Sequence, residues 1–254
     1  MLSRLLYQFV VDLPAEEAKH ELGVFGNIIR LSIVITIAIQ AFRMAAEPFF
    51  FNKSKEQDVQ QTYARIMNFF VLVCCFLFLG VSLYIDLAAW FFDAIGREKW
   101  KEGLYVVPLF AMANILLGIY YNLSIWYKLT NRNLTGAFIT IGGALITVAL
   151  TILLIPSYHY WGAAVASFAC YFFMMTTSYW LGQKHYPVPY PVKKITIYLL
   201  ACGLLYVTHR TLIGWWPDRV FNLGMATVLF TSFVLLISRT EKEEWIKLKA
   251  SFKK

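Results

Sequence analysis

Charged side chains are scarce in this chain of 254 residues: they make up 15% of it, against 59% that are hydrophobic. Soluble domains carry about 25% charged and roughly 45–50% apolar residues. A soluble core of this length could not bury the excess of apolar surface. The scarcity excludes disorder and most soluble enzymes, and it predicts an all-α, polytopic membrane protein.

Cysteine and histidine are also sparse, with four residues of each. The cysteines all fall inside apolar runs and form no C-x-x-C pair, which favours helix packing over disulfides or metal binding. The histidines are scattered near the ends of those runs. Nucleotide-binding, metalloprotease and hydrolase motifs do not occur in the sequence. We therefore expect no enzymatic activity, no metal and no cofactor.

Long apolar runs are what the sequence does contain. A helix needs about 20 apolar residues to cross the hydrocarbon core of a bilayer. Seven runs of at least 19 residues predict seven full transmembrane helices, at 24–51, 66–85, 104–126, 134–155, 161–181, 195–213 and 220–238. Residues 1–13 are apolar but too short to span, and we interpret them as the end of a truncated helix.

Lysine and arginine are distributed unevenly between the two sets of connections. One set, with the basic tail 239–254, holds 14 of them, and the other set holds six. The richer set should be cytoplasmic, and so should the C-terminus. The net charge of +8 is then mostly a topology signal, and we expect no nucleic-acid partner. Trp245, Leu248 and Phe252 share one face of the tail, which fits either a helix on anionic membrane lipids or a solvated tail.

The first full span carries three charges, Arg30, Arg43 and Glu47. Charges inside a span are costly, so each is a functional hypothesis. A polar stripe begins at Ser32 and continues through Gln40, Arg43 and Glu47. It covers an arc of about 80° of the helix and should face a bundle interior or a cavity. Arg43 and Glu47 form either a structural ion pair or a site in which Arg43 binds an anion.

A second polar line lies in the span 104–126. Asn114, Gly118 and Tyr121 are spaced i, i+4 and i+7 and therefore share one helix face. The amide and the phenol would suit the hydroxyls and rings of a sugar. The same groups also serve as ordinary hydrogen-bonding contacts between helices.

Two stretches of the chain resemble a known family. Gln40–Phe51 reads QAFRMAAEPFFF, and Gly103–Ala137 reads GLYVVPLFAMANILLGIYYNLSIWYKLTNRNLTGA. Both are similar to bacterial polysaccharide flippases of the Wzx type, within the multidrug/oligosaccharidyl-lipid/polysaccharide exporter superfamily. The spacing of the later spans agrees with this family to the end of the chain.

The resemblance implies a MATE-like transporter of about fourteen spans, with two six-helix lobes and two terminal helices. This chain resembles only the second part. Residues 1–13 match the end of the seventh span, residues 14–181 the second-lobe bundle, and residues 195–238 the two terminal helices. We expect a fragment or half of the transporter, completed by the missing first-lobe helices or by a second copy of the chain.

The function implied is translocation of undecaprenyl-diphosphate-linked oligosaccharide across the bacterial inner membrane by alternating access. Arg43 and Arg30 are the diphosphate candidates, and Gln40, Glu47, Asn114 and Tyr121 complete the predicted substrate site. Two alternatives stay open: a non-transporting membrane subunit of polysaccharide assembly, and a drug/cation antiporter of the same superfamily. The antiporter would favour acidic groups in its cavity, whereas the spans hold two arginines for one glutamate.

Overall fold

The structure is a computed structural model that describes residues 15–53, 58–96, 101–215 and 218–242. These residues are helical with short connections, and no strand occurs among them. The helices in chain order are α1 (Ala15–Lys53), α2 (Val59–Leu83), α3 (Ile85–Ala94), α4 (Val107–Leu123), α5 (Ile125–Leu129), α6 (Asn133–His185), α7 (Val192–Trp215) and α8 (Arg219–Thr240), with a 3-10 turn at Leu104–Val106 before α4. The all-α prediction is confirmed.

Within the described residues, six helical segments are long and apolar enough to cross a membrane. They are Gly23–Lys53, Val59–Leu83, Leu104–Leu129, Asn133–His185, Val192–Trp215 and Arg219–Thr240. The coarse prediction of a membrane protein with several spanning helices is borne out. Residues 1–13 and most of the tail, with Trp245, Leu248 and Phe252, lie outside the described residues.

The fourth of these segments, Asn133–His185, covers both of the spans predicted at 134–155 and 161–181. It consists of two helical arms that meet at a kink at His159, where φ is 48° and ψ is −129°. Its two arms pack against each other, because a Cβ placed on Gly162 would lie 2.7 Å from the carbonyl carbon of Leu154. Glycine is needed there so that the two backbones can approach.

Two helix boundaries differ from the prediction. The second spanning helix begins at Val59 instead of residue 66, directly after Asp58, which has a left-handed φ of 63°. The same helix ends at Leu83, and Tyr84 separates it from the short helix α3. Asp tolerates the left-handed region better than most residues do, which makes it a suitable residue for this chain reversal.

The core lies around α2. Its buried side chains pack against those of α1, α4, α7 and α8 in one cluster that includes Ile35, Phe78, Ile115, Tyr198 and Phe233. The arms of α6 pack on the other side of α4. The outward face of α6 exposes large apolar side chains such as Leu134 and Phe138, as a helix surrounded by lipid requires.

Charged connections gather at the two ends of the bundle. One end, which we call the lysine-rich end, carries Lys53, Lys128, Lys184, Lys194 and Lys242. An apolar cluster also lies at this end and is formed by Phe50, Val59, Tyr63, Ile125 and Val188. The other, which we call the opposite end, carries Asp86, Tyr105, Arg210 and Asn222. The connections alternate between the two ends because successive spanning helices run in opposite directions.

Candidate functional site: a charged cavity between α1, α4 and α5

A cleft open to solvent lies between α1, α2, α4 and α5 near the lysine-rich end, with about 300 Å³ of space that includes open solvent. Its walls are mostly apolar and include Ile39, Phe42 and Phe70. The polar and charged residues that line it are Arg43, Glu47, Tyr121, Asn122, Ser124 and Lys128. A charge among apolar walls is less screened than one in bulk water, so these groups act strongly on any ligand that enters.

Glu47 is shared by two cations. Arg43 Nε donates to Glu47 Oε1 over 3.4 Å from the preceding turn of α1, and Lys128 Nζ donates to the same oxygen from α5. The three side chains retain 40%, 37% and 28% of their accessible surface for Arg43, Glu47 and Lys128. The cluster therefore carries one net positive charge and remains open to solvent or ligand.

Tyr121 completes the cluster from α4. Its ring lies under the Arg43 guanidinium, with 4.7 Å between the guanidinium carbon and the ring centroid. An aromatic face attracts a cation and restricts its position. The Arg43 guanidinium is therefore oriented by two partners, the Tyr121 ring and the Glu47 carboxylate.

Gly118 permits the close approach of the cavity wall. A Cβ at this position would lie 2.5 Å from Phe70 Cζ and 3.2 Å from Ile39 Cγ1. Both of those side chains are buried. The glycine at the i+4 position of the predicted polar line is thus a packing residue that brings α4 against α1 and α2.

The structure brings together three of the six predicted site residues: Arg43, Glu47 and Tyr121. Arg30 and Gln40 are exposed on α1 and do not line the cavity. Asn114 is buried and donates to the Phe110 carbonyl oxygen over 3.0 Å, within its own helix. These three residues remain predictions as ligand contacts.

Sequence reasoning missed Lys128 as a member of the site, because we interpreted it only as a topology charge. A signal was available: Lys128 follows Tyr121 by seven residues, which is two helical turns on the same face. Asn122 and Ser124, which the sequence places at the cytoplasmic end of the second polar line, also line the cavity but were not among the predicted site residues. Asn122 donates to the Gly118 carbonyl oxygen over 3.1 Å, and its own buried carbonyl oxygen has no partner among the described residues.

A second carboxylate at the lysine-rich end, Glu241, is held very differently. It directly follows α8, is 3% exposed, and accepts from Tyr198 Oη at 2.6 Å, Asn68 Nδ2 at 3.1 Å and Lys194 Nζ at 3.2 Å. Burial alone would raise the pKa of Glu241, but hydrogen bonds from these three donors outweigh it and lower the pKa. This network fastens α8 to α2 and α7.

Metal-binding chemistry has no candidate in the described part of the chain, where no three His, Cys, Asp or Glu side chains lie together. The four cysteines are buried and unpaired with one another. The charged cavity instead presents a guanidinium fork, an ammonium group and an aromatic face, which suit an anionic group such as phosphate. No family model, no curated protein and no solved structure matches this chain.

Proposed function

We propose that the chain forms the second-lobe part of a flippase that moves undecaprenyl-diphosphate-linked oligosaccharide across the bacterial inner membrane. The observation that carries the proposal is the charged cavity, in which Arg43 and Lys128 converge on one carboxylate oxygen between apolar walls. The resemblance of Gln40–Phe51 and Gly103–Ala137 to Wzx-type flippases supports the same function. On this proposal the lysine-rich end and the C-terminus face the cytoplasm.

A diphosphate would take the place of the Glu47 carboxylate. Phosphate oxygens accept from Arg and Lys as carboxylate oxygens do, and a diphosphate carries more negative charge than one carboxylate. Glu47 would then be released from Arg43 and Lys128. The aromatic face of Tyr121, already beside Arg43, would lie next to the first sugar. The internal carboxylate thus keeps the cations paired until substrate arrives.

The opposing wall of the cavity would come from the first-lobe helices of the transporter or from a second copy of this chain. With the two arms of α6 counted separately, the helices would provide the seven spans that the family resemblance implies. Alternating access would then move the two walls relative to one another around the bound diphosphate.

A binding experiment tests the cavity. The full chain in lipid nanodiscs would be titrated with farnesyl diphosphate, with farnesol as the uncharged comparison. We expect Arg43→Ala and Lys128→Ala each to weaken diphosphate binding about tenfold, as the loss of a charge-assisted hydrogen bond predicts. Lys184→Ala is the matched control, because Lys184 is an exposed lysine of the same end that does not line the cavity. Equal binding by all four proteins would reject the site.

A cellular experiment tests transport. In cells that depend on this protein, Arg43→Ala should cause lipid-linked repeat units to accumulate at the cytoplasmic leaflet. A non-transporting subunit of the assembly machinery predicts normal surface polysaccharide in the same mutant. Normal export in both Arg43→Ala and Lys128→Ala cells would therefore contradict the flippase proposal.

A further inference from the structure

Asn122 of α4 is a buried polar residue in the wall of the charged cavity. The residue is 5% exposed, and its amide nitrogen donates to the Gly118 carbonyl oxygen over 3.1 Å. Because that carbonyl oxygen can only accept, the nitrogen of the Asn122 amide must face it, and Oδ1 must point elsewhere. Oδ1 is itself buried and has no hydrogen-bond partner among the described residues.

A buried carbonyl oxygen without a partner requires an explanation, because more than about 90% of buried polar groups in proteins are hydrogen-bonded. Asn114, an earlier residue of α4, is a close comparison. It is also buried and donates to the carbonyl oxygen four residues before it, but its own oxygen is not both buried and unpartnered. Asn114 does not line the charged cavity. The unpartnered oxygen therefore belongs to the asparagine of α4 that does.

The neighbours of Asn122 in the cavity restrict what this oxygen can bind. Arg43 and Lys128 attract an anion, as the proposed diphosphate site requires. Asn122 Oδ1 can only accept, so it repels a phosphate oxygen and needs an O–H or N–H group. The net positive charge of the cluster disfavours a cationic donor. The matching ligand therefore carries a neutral donor, such as a hydroxyl, next to its anionic group.

The position of Asn122 fits a group attached to the diphosphate. Asn122 precedes Lys128 by six residues, which places it about 9 Å deeper along the helix axis. Tyr121, beside Asn122 in the chain, lies against the Arg43 guanidinium. Oδ1 is covered while Glu47 joins α1 to α5 through Lys128. When a diphosphate takes the place of Glu47, this link between the walls is released and α1 can move away from α4.

We propose that Asn122 determines substrate specificity by accepting a hydrogen bond from a hydroxyl of the sugar next to the diphosphate. This inference rests on the proposed function and deepens it, because it names the residue that distinguishes a glycosylated diphosphate from a bare one. The diphosphate first displaces Glu47 from Arg43 and Lys128. The sugar hydroxyl then donates to Asn122 Oδ1, and no covalent bond changes.

A comparison of ligands tests the inference on the unmodified chain. The full chain in lipid nanodiscs would be titrated with farnesyl diphosphate, with farnesyl diphosphoglucose, and with the same glucose compound after methylation of its sugar hydroxyls. We expect the glucose to strengthen binding about tenfold and methylation to remove the gain, because only free hydroxyls donate. A glucose compound that binds no tighter than farnesyl diphosphate, or a methylated one that keeps the gain, would overturn the inference.

Two asparagine variants locate the hydrogen bond. Asn122→Leu replaces the amide with an apolar side chain of similar size. It should reduce the ratio of the affinities for farnesyl diphosphoglucose and farnesyl diphosphate from about ten to about one. Asn114→Leu is the matched variant, because Asn114 is a buried asparagine of the same helix that does not line the cavity. We expect it to keep the ratio. A ratio that persists in Asn122→Leu, or that both variants lose, would contradict the inference.

Failure of this inference and failure of the proposed function give different results. Without a diphosphate site, farnesyl diphosphate does not bind, and Arg43→Ala has no effect on either ligand; both proposals then fail. If the role of Asn122 alone is wrong, farnesyl diphosphate still binds and still depends on Arg43 and Lys128. The gain from glucose is then absent or does not depend on Asn122.

Discussion

Glu47 and Glu241 lie at the same end of the bundle, and each accepts a hydrogen bond from a lysine, yet their surroundings differ. Glu47 is 37% exposed, lines an open cavity, and is paired with the partly exposed cations Arg43 and Lys128. Glu241 is 3% exposed and is held by donors from two other helices. Nothing in the charge of the two residues distinguishes them.

The difference shows that solvent access decides what a carboxylate can do. An ion pair in an open cavity gains little net stability, and a competing anion can replace its carboxylate. A buried carboxylate with three donors holds helices together, because removing it leaves those donors without an acceptor. We therefore assign ligand exchange to the environment of Glu47 and helix attachment to that of Glu241.

The largest expected effect is on stability. Glu241→Ala should lower the free energy of unfolding by about 2 kcal/mol, because Asn68 loses its acceptor and Tyr198 keeps only its longer hydrogen bond, to Thr240. Lys194 contributes less, since it is half exposed. Glu47→Ala should change it by less than about 0.5 kcal/mol. Denaturant unfolding of both variants in detergent measures the two values. An equal loss of unfolding free energy in the two variants would contradict the assignment of different roles to Glu47 and Glu241.

The pH dependence of unfolding sharpens the same contrast. The pKa of Glu241 is lowered from its ordinary 4.5, so its ionised form adds stability that is present in full above that pH. The contribution is lost as the pH falls through the lower, folded-state pKa. We expect the unmodified chain to lose stability progressively as the pH falls below 4.5. Thermal unfolding across this range should show the loss in the unmodified chain, and Glu241→Gln should abolish it.

Glu47→Gln should strengthen anion binding. The neutral amide keeps the size of the side chain but removes the charge that competes for Arg43 and Lys128. We expect about fivefold tighter binding of farnesyl diphosphate, equivalent to about 1 kcal/mol. Isothermal titration in nanodiscs measures it, with Glu241→Gln as the comparison, which should bind as the unmodified chain does. Weaker binding by Glu47→Gln would show that Glu47 orients Arg43 and does not compete with ligand.

The smallest effect concerns the aromatic face. Tyr121→Leu removes the ring under the Arg43 guanidinium and leaves a smaller apolar side chain. A partly exposed cation–π contact contributes about 0.5–1 kcal/mol, so diphosphate binding should weaken about two- to fivefold. The same titration measures it. An unchanged affinity would mean that Glu47 alone positions Arg43.

The sequence predicted the helices well because each spanning segment carries its own signal, a long apolar run. The bounds of α7 and α8 extend the predicted spans by only a few residues. The break between the two predicted spans in α6, which Pro156 and Ser157 indicate, is present as a reversal of the backbone at His159, two residues after Ser157.

The site was predictable where its residues are neighbours on one helix. Arg43 and Glu47 are four residues apart, and their expected contact is present. Glu241 had no local signal, because its partners Asn68, Tyr198 and Lys194 come from distant parts of the chain and it sits in a stretch that reads as a charged tail. Contacts of this kind depend on tertiary packing, which periodicity does not encode.

The reversal at His159 has a consequence for biogenesis. The turn that joins the two arms of α6 is too short to span a bilayer. One arm therefore cannot enter the membrane while the other arm stays outside it. Their contact at Gly162 and Leu154 also buries backbone against backbone directly beside the turn. The arms should therefore leave the insertion machinery as a single hairpin.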